Sequence, residues 1–396
     1  MKKGSVLTRT IWMLSMVSLF TDIASEMLYP IMPIYLKSIG FSIVLIGILE
    51  GLAEVVAGLS KGYFGKLSDN LGKRLPFVRY GYLFSALSKP LMALSTMPVY
   101  IFIVRAIDRL GKGVRTGARD AMLSDEATPK TKATVFGFHR SMDTMGAVLG
   151  PLAALIFLFF LPGHYRTLFI LAFIPGILAI GFTFLIVEKK STFGKVIMKT
   201  HFLDFLKYWR ESPVLYRKLV IGLLIFTLFN SSDVFLLLKI KDAGFSDIQT
   251  IGVYVFYSLM YALCAYPIGI LADRWGLKKI FILGLVLFVI VYAGMAFNKN
   301  LYIFFALFFL YGIYAAATEG ISKAWISNIA NQKNTATAIG TFTAFQSICT
   351  MLASSLMGLL WFRFGALIAF SASSIGVCFV IVYLLAMKNN SIKRNI

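Results

Sequence analysis

Gly65-Lys-Leu-Ser-Asp69-Asn-Leu-Gly72-Lys73-Arg74 returns in weaker form as Gly269-Ile-Leu-Ala-Asp273-Arg-Trp-Gly276. The two stretches stand 204 residues apart, and the match extends outward from them. Gly40-Phe41-Ser42 answers Gly244-Phe245-Ser246, and Arg74 answers Lys278, at the same offset. Downstream, Ala133-Thr134-x-x-Gly137 answers Ala336-Thr337-x-x-Gly340 at an offset of 203. One unit is therefore written twice. Features the architecture needs should occur in both copies, whereas features a function needs can occur in one.

Each copy is strongly apolar. The chain has 396 residues, 58% of them hydrophobic and 14% charged. A soluble domain is nearer half apolar and a quarter charged. That balance excludes a disordered chain, a coiled coil and a small disulfide scaffold. Runs long enough to cross a bilayer recur throughout, as in a polytopic helical membrane protein. Spans are expected at 11–36, 43–65, 77–97, 99–121, 135–161, 166–187, 218–238, 248–271, 279–297, 301–326, 335–362 and 365–387. Charges interrupt the fourth, which is retained because it lies opposite the apolar 301–326. The first is too long for a signal peptide and carries Asp22 and Glu26. Cys264, Cys349 and Cys378 lie in apolar runs and read as small core residues.

The net charge of +21 suggests nucleic acid until the cations are placed. With the N-terminus inside, 23 Lys and Arg fall in inner loops and termini and 6 in outer loops. The positive-inside rule then sets both termini in the cytoplasm and accounts for the basic excess without nucleic acid. Residues 188–217 form a basic linker between 1–187 and 218–396, two six-helix halves. Its stretch from His201 to Trp209 reads as a short helix on the inner leaflet. Six plus six spans is a transporter architecture, with the solute held between the halves.

The Gly65–Arg74 loop, between spans two and three, resembles the signature loop of the major facilitator superfamily, and its copy sits between spans eight and nine, where that family places it. Gly146-x-x-x-Gly150-Pro151 in span five resembles the family's antiporter motif, although Ala153 and Ala154 stand where later glycines are common. Arg105 to Gly113 matches the family's fourth-span motif only roughly. Asp108-Arg-Leu-Gly-Lys-Gly-Val-Arg-Thr-Gly-Ala-Arg-Asp-Ala121, with Thr318-Glu319-Gly-Ile-Ser-Lys323-Ala, looks like a bacterial subgroup of these permeases. The resemblance covers the whole chain. It implies an all-α membrane protein with 12 transmembrane helices in two six-helix halves with inverted repeats, multi-pass in the bacterial inner membrane, acting as a monomer. It also implies gating by Gly65, Asp69, Gly72, Arg74, Asp273, Gly146, Gly150 and Pro151. Asp69 is expected at the N-terminal end of a helix of the other half, where a carboxylate is favoured.

Of 18 acidic residues, nine lie within the expected spans: Asp22, Glu26, Glu50, Glu54, Asp108, Asp120, Asp143, Asp233 and Glu319. Such charges are costly and face a cavity or a partner. Asp22 and Glu26 are four apart, as are Glu50 and Glu54, so each pair shares a helix face. Carboxylates so close can hold a proton between them. With His139 and Asp143 they are the candidates for proton coupling. On span four, Arg105, Asp108, Arg109, Lys112, Arg115, Arg119 and Asp120 fall within an arc of about 140° at helical spacing. Ala106, Leu110, Gly113, Val114 and Gly117 form the opposite, close-packing face. The counterparts of Arg105, Asp108, Arg109 and Lys112 are Phe309, Gly312, Ile313 and Ala316, so the shared architecture does not require those charges. A cationic stripe suits a carboxylate or phosphate on the solute; the competing reading is ion pairing that only stiffens the half.

Arg105, Asp108, Arg109 and Lys112 are thus the candidate solute ligands, joined by Asn230 and Asp233, which interrupt the seventh span. Tyr29, Tyr254, Tyr257 and Phe342 are candidate wall residues. Arg115 and an i, i+4 pair of Glu319 and Lys323 are assigned to gating. No metal-ligand spacing, nucleotide loop or hydrolase triad occurs. A transporter rather than an enzyme is expected, without cofactor or metal, its partners a small molecule, protons and membrane lipids. The reading is proton-coupled alternating access for an anionic or zwitterionic organic solute, tilted to export. Uptake of a polycarboxylate or metal chelate such as a siderophore, or metal-ion transport, is the alternative.

Overall fold

The computed structural model describes residues 6–29, 31–188 and 201–387, and these contain helices and no strand. The helices are α1 (Arg9–Glu26), α2 (Met32–Ser38), α3 (Ile43–Leu71), α4 (Leu75–Leu94), α5 (Pro98–Glu126), α6 (Lys132–Phe160), α7 (Tyr165–Leu171) and α8 (Phe173–Phe184). After the linker come α9 (Lys207–Glu211), α10 (Val214–Phe229), α11 (Val234–Asp242), α12 (Asp247–Trp275), α13 (Leu277–Phe297), α14 (Leu301–Ile329) and α15 (Thr335–Ala386). Seven helical stretches among the described residues are long and apolar enough to cross a membrane: α6, α7 with α8, α10 with α11, and α12 to α15. Of the other long helices, α1, α3 and α5 carry charged side chains singled out above.

Local chemistry sets the helix boundaries. Ser42 and Ser246, from the repeated Gly-Phe-Ser, cap α3 and α12 by accepting from Leu45 N–H at 3.2 Å and Gln249 N–H at 3.3 Å. Gly72 and Gly276 end the same two helices with φ of 60° and 100°, backbone that side-chain-bearing residues rarely adopt. The expected first span divides into α1 and α2, and the second carries proline in its first turn, where proline is tolerated. The seventh divides at Asn230–Asp233, as its polar residues suggest. α15 joins the last two spans across Gly365, whose φ of 83° interrupts the helix.

The repeats lock into each other at one end, termed here the loop end. α3 packs on α15 and α6 on α12. Asp69, at the end of α3, accepts from the Ala336 and Thr337 N–H groups at 3.4 and 2.6 Å and from the Thr337 hydroxyl at 2.7 Å. Asp273, at the end of α12, accepts from the Ala133 and Thr134 N–H groups at 3.0 and 2.6 Å. Each carboxylate thereby satisfies the first N–H groups of a helix in the other repeat. Glycines make the approach possible. A side-chain carbon on Gly65 would stand 2.6 Å from the Ala336 carbonyl, and one on Gly340 would stand 2.5 Å from the Lys61 carbonyl. Gly269 against Ala133 and Gly137 against Ala265 repeat the arrangement.

Residues 189–200 lie outside the described set. From 201 onward one face of the linker packs on protein, with Phe205 and Tyr208 1% and 2% exposed, while Phe202, Leu203 and Leu206 stay 49%, 53% and 37% exposed. The turn is held by Asp204, which accepts from His201 N–H at 2.6 Å and pairs with Lys207 at 2.8 Å. Those two donors hold its carboxyl below the usual range.

Replacing Asp69 by Asn removes the charge from three hydrogen bonds, and hydrogen bonds to charged groups contribute about 1.5–3 kcal/mol each. Asp69→Asn and Asp273→Asn should each lower the thermal unfolding midpoint of the purified protein. An unchanged midpoint in both would mean that these caps do not hold the repeats together.

Candidate functional site

The charged stripe of α5 faces α3 and α4, and its ions are combined rather than left free. Arg105 grips Glu50 through two parallel bonds, Nε to Oε1 at 3.0 Å and Nη2 to Oε2 at 2.8 Å, while Nη1 reaches Asp108 at 3.4 Å. Asp108 also takes Lys89 of α4 at 2.8 Å and the Ser88 hydroxyl at 3.2 Å. Arg115 donates to Ser85 at 2.5 Å and lies over the Tyr82 ring at 4.4 Å. The close-packing face expected for α5 is present: Gly113 seats against Ser60 of α3, and Gly117 against Gly65.

This geometry corrects two expectations. Arg105 is not an available cation, because Glu50 and Asp108 occupy its fork. Glu50 in turn is the partner of that guanidinium, not a free member of a carboxylate pair. Arg109 is held far more loosely, 3.7 Å from Glu50 and 3.5 Å from Glu54. Its Nε is buried with no hydrogen-bond partner among the described residues. Lys112 and Glu54 are exposed.

A cavity of about 260 Å³ opens beside this network. Asp22 and Glu26 of α1, Lys89 of α4, and Arg109 and Lys112 of α5 supply its charged wall, and Leu28, Met32, Met92 and Phe169 its apolar one. Arg105, Asp108, Arg115 and Glu54 complete the ionic lining. All these residues belong to the first repeat. Asn230 and Asp233 do not line it: Asp233 accepts from the Tyr311 hydroxyl at 2.7 Å, and the buried Asn230 side-chain oxygen has no partner among the described residues. Tyr29 bridges the regions, being on the cavity wall and within electrostatic reach of Glu26, Arg109 and Asp233.

A second network leads from the cavity to the other repeat. The Asp22 carboxyl lies beside that of Asp143, which accepts from the Ser18 hydroxyl and from Arg140 Nη1 at 2.5 Å. Arg140 reaches across to Glu319 of α14 and donates to the Tyr261 hydroxyl of α12 at 2.8 Å. Arg119 chelates Asp120 at 2.9 and 3.0 Å, and Asp120 takes Lys323 of α14 at 2.7 Å. Glu319 and Lys323 therefore do not serve each other as expected. Both point from α14 into the first repeat, where full opposite charges are nearer. His139 is buried in this network, and neither ring nitrogen has a hydrogen-bond partner among the described residues.

The remaining expected residues are structural neighbours of these networks. Gly146 and Gly150 let α6 close on α1: side-chain carbons there would meet the Leu19 carbonyl at 2.6 Å and the Met27 amide nitrogen at 2.7 Å, on either side of Asp22 and Glu26. Pro151 lies inside α6. Arg74 pairs with Asp69 at 3.5 Å and Asp125 at 3.1 Å. Lys89, Lys61 and Arg140 escaped the sequence-based site. The repeat itself carries the signal for the first two, because Lys89 and Lys61 stand opposite Ala293 and Ala265 at the 204 offset.

The chain was compared with known proteins. The model of the family described as Major Facilitator Superfamily matches residues 14–256 and again 240–395. An uncharacterized MFS-type transporter of Methanocaldococcus jannaschii is 33% identical over 364 residues, 90% of this chain and 89% of that one. Among solved structures, the human organic anion transporter MFSD10 superposes with a TM-score of 0.77 at 17% identity, covering 95% of this chain and 99% of the other. FucP in the outward conformation superposes with a TM-score of 0.76 at 11% identity, covering 96% and 99%. Members of the matched family are transporters, not enzymes. With its helical architecture, its multiple apolar helices and a matched family model over nearly its whole length, this chain belongs to the major facilitator superfamily.

Proposed function

We propose that this transporter exchanges protons for a small anionic or zwitterionic organic solute by alternating access, exporting the solute. The observation that carries the reading is one shared cavity. Asp22, in carboxyl contact with Asp143, opens on the same space as Arg109 and Lys112. Two carboxyls held side by side can share a proton, so the pair is a natural carrier. A loosely held guanidinium and an exposed ammonium beside it suit a carboxylate or phosphate. Glu26 and Glu54 on the same wall suit a cationic group on a zwitterion. Arg105, Glu50 and Asp108 then act as the frame that holds α3, α4 and α5 at fixed spacing.

In this reading the chain crosses the inner membrane of a bacterium twelve times as a monomer, with both termini and the loop end in the cytoplasm. The halves 1–187 and 218–396 rock about the cavity, and 188–217 joins them. Closure at the loop end corresponds to an outward-facing state. The crossed pairs Arg140–Glu319 and Asp120–Lys323, together with the Asp69 and Asp273 caps, are the contacts that part when the inner side opens. The Gly146–Pro151 stretch, packed on α1 beside Asp22, favours antiport by tying the proton-carrying helix to α6.

Proteoliposomes with an imposed pH gradient test the coupling. Asp22→Asn should abolish solute accumulation against its gradient while leaving solute–solute exchange. Uphill transport at the parent rate would remove Asp22 from the proton path. The solute site is tested by a pair of variants read for binding and for thermal stability. Arg109→Lys keeps a charge but not the planar fork, and should weaken binding by on the order of 2–5 kcal/mol, about thirtyfold or more, in a protein that stays folded. Arg105→Ala leaves Glu50 and Asp108 without their partner and should instead lower the unfolding midpoint. Parent-like affinity in Arg109→Lys, or a solute that proves to be a simple cation, contradicts the anion-site reading.

A further inference from the structure

The segment joining the repeats touches both at the place where they close. Phe205 lies in a single turn, Asp204–Leu206, ahead of α9. Its ring rests on Gly62 of α3, where a side-chain carbon would stand 2.6 Å from the ring. Its carbonyl accepts from the Thr341 hydroxyl of α15 at 3.3 Å. Gly62 and Thr341 flank the contact of Gly340 with the Lys61 carbonyl, where α3 and α15 approach most tightly. The neighbouring rings touch one side each. Phe202 meets Tyr63 of α3 at 5.4 Å and is 49% exposed, whereas Trp209 meets Phe345 of α15 at 5.9 Å.

We infer that Phe205 is a wedge that holds the loop end shut and must leave its seat each time that end opens. A tether needs length and solubility; it does not need a buried phenyl ring seated where a glycine leaves room. The ring, 1% exposed, sits on α3 while its own carbonyl is tied to α15, so separating the two helices pulls the segment two ways and returns part of the ring to water. The ring therefore stabilises the closed arrangement over the open one, and only such a difference between two states can shift their populations. This inference rests on the alternating-access reading, but not on the identity of the solute or the coupling ion.

The test measures the loop-end distance directly. Spin labels are attached at Lys73→Cys and Gln332→Cys, one in each repeat, with Cys264, Cys349 and Cys378 replaced by Ser. Distances are read by double electron–electron resonance in lipid, across a range of pH and without added solute. Phe205→Ala should raise the long-distance, open population about tenfold, and Phe205→Leu should raise it less. Gly62→Ala, which displaces the ring while leaving it in the chain, should reproduce the shift, and Phe202→Ala should not. Parent-like distributions for Phe205→Ala and Gly62→Ala, in a protein that does open on changing pH, overturn the wedge. If no variant and no pH produces an open population, alternating access at this end fails, and the wedge fails with it.

Discussion

A helix that begins inside a protein presents N–H groups with no partner in its own backbone, and here the partner comes from the other repeat. Asp69 serves the start of α15 and Asp273 the start of α6. A carboxylate can do this only if the backbones come close, which is why Gly65, Gly269, Gly137 and Gly340 surround the contacts. Because the exchange is mutual, neither repeat completes its helix starts alone. The crossed pairs on α14 and the seat of Phe205 lie between the repeats that this exchange brings together.

Within that frame, charge is distributed by need. The second repeat makes its corresponding helix, α14, from apolar residues at the positions where α5 carries Arg105, Asp108, Arg109 and Lys112. The first repeat could do the same, so its ions carry an added cost. Part of that cost is offset internally, where Arg105, Glu50, Asp108 and Lys89 neutralise one another. What remains open to the cavity is Arg109, Lys112 and the carboxyls of Asp22 and Glu26. In the proposed reading, a neutral frame with a few exposed charges is a more selective arrangement for a solute than a uniformly basic groove.

Ionic partners were the least legible part of the chain. Glu319 and Lys323 have the spacing of a pair on one helix, yet an exposed i, i+4 contact contributes only about 0.2–0.5 kcal/mol. A buried partner across an interface easily outweighs it. Arg140 and Asp120 supply that partner from residues 179 and 203 positions away, respectively. Arg105 and Arg109 look equivalent on a helical wheel, one turn apart on the same face. They differ because Glu50 lies within bidentate reach of the first and only near the second. Lys89 and Lys61 were recoverable, since the repeat places alanines opposite both.

The sequence by itself determined the duplication, the apolar helical class, the caps and glycine stops of α3 and α12, and the asymmetry of charge between the repeats. Those features are written in nearest neighbours, in helical period, or in the fixed offset of a copied unit. The tertiary structure alone decided that each repeat caps the other's helices instead of its own, which cations are tightly paired and which loosely, and that Phe205 and Tyr208 of the linker pack on protein. Hydrogen bonds and ion pairs act over about 3–4 Å, and Asp69 meets Thr337 across 268 residues of chain. No spacing in the sequence encodes which of two identical helix starts comes within that range; the packing of glycine against carbonyl does.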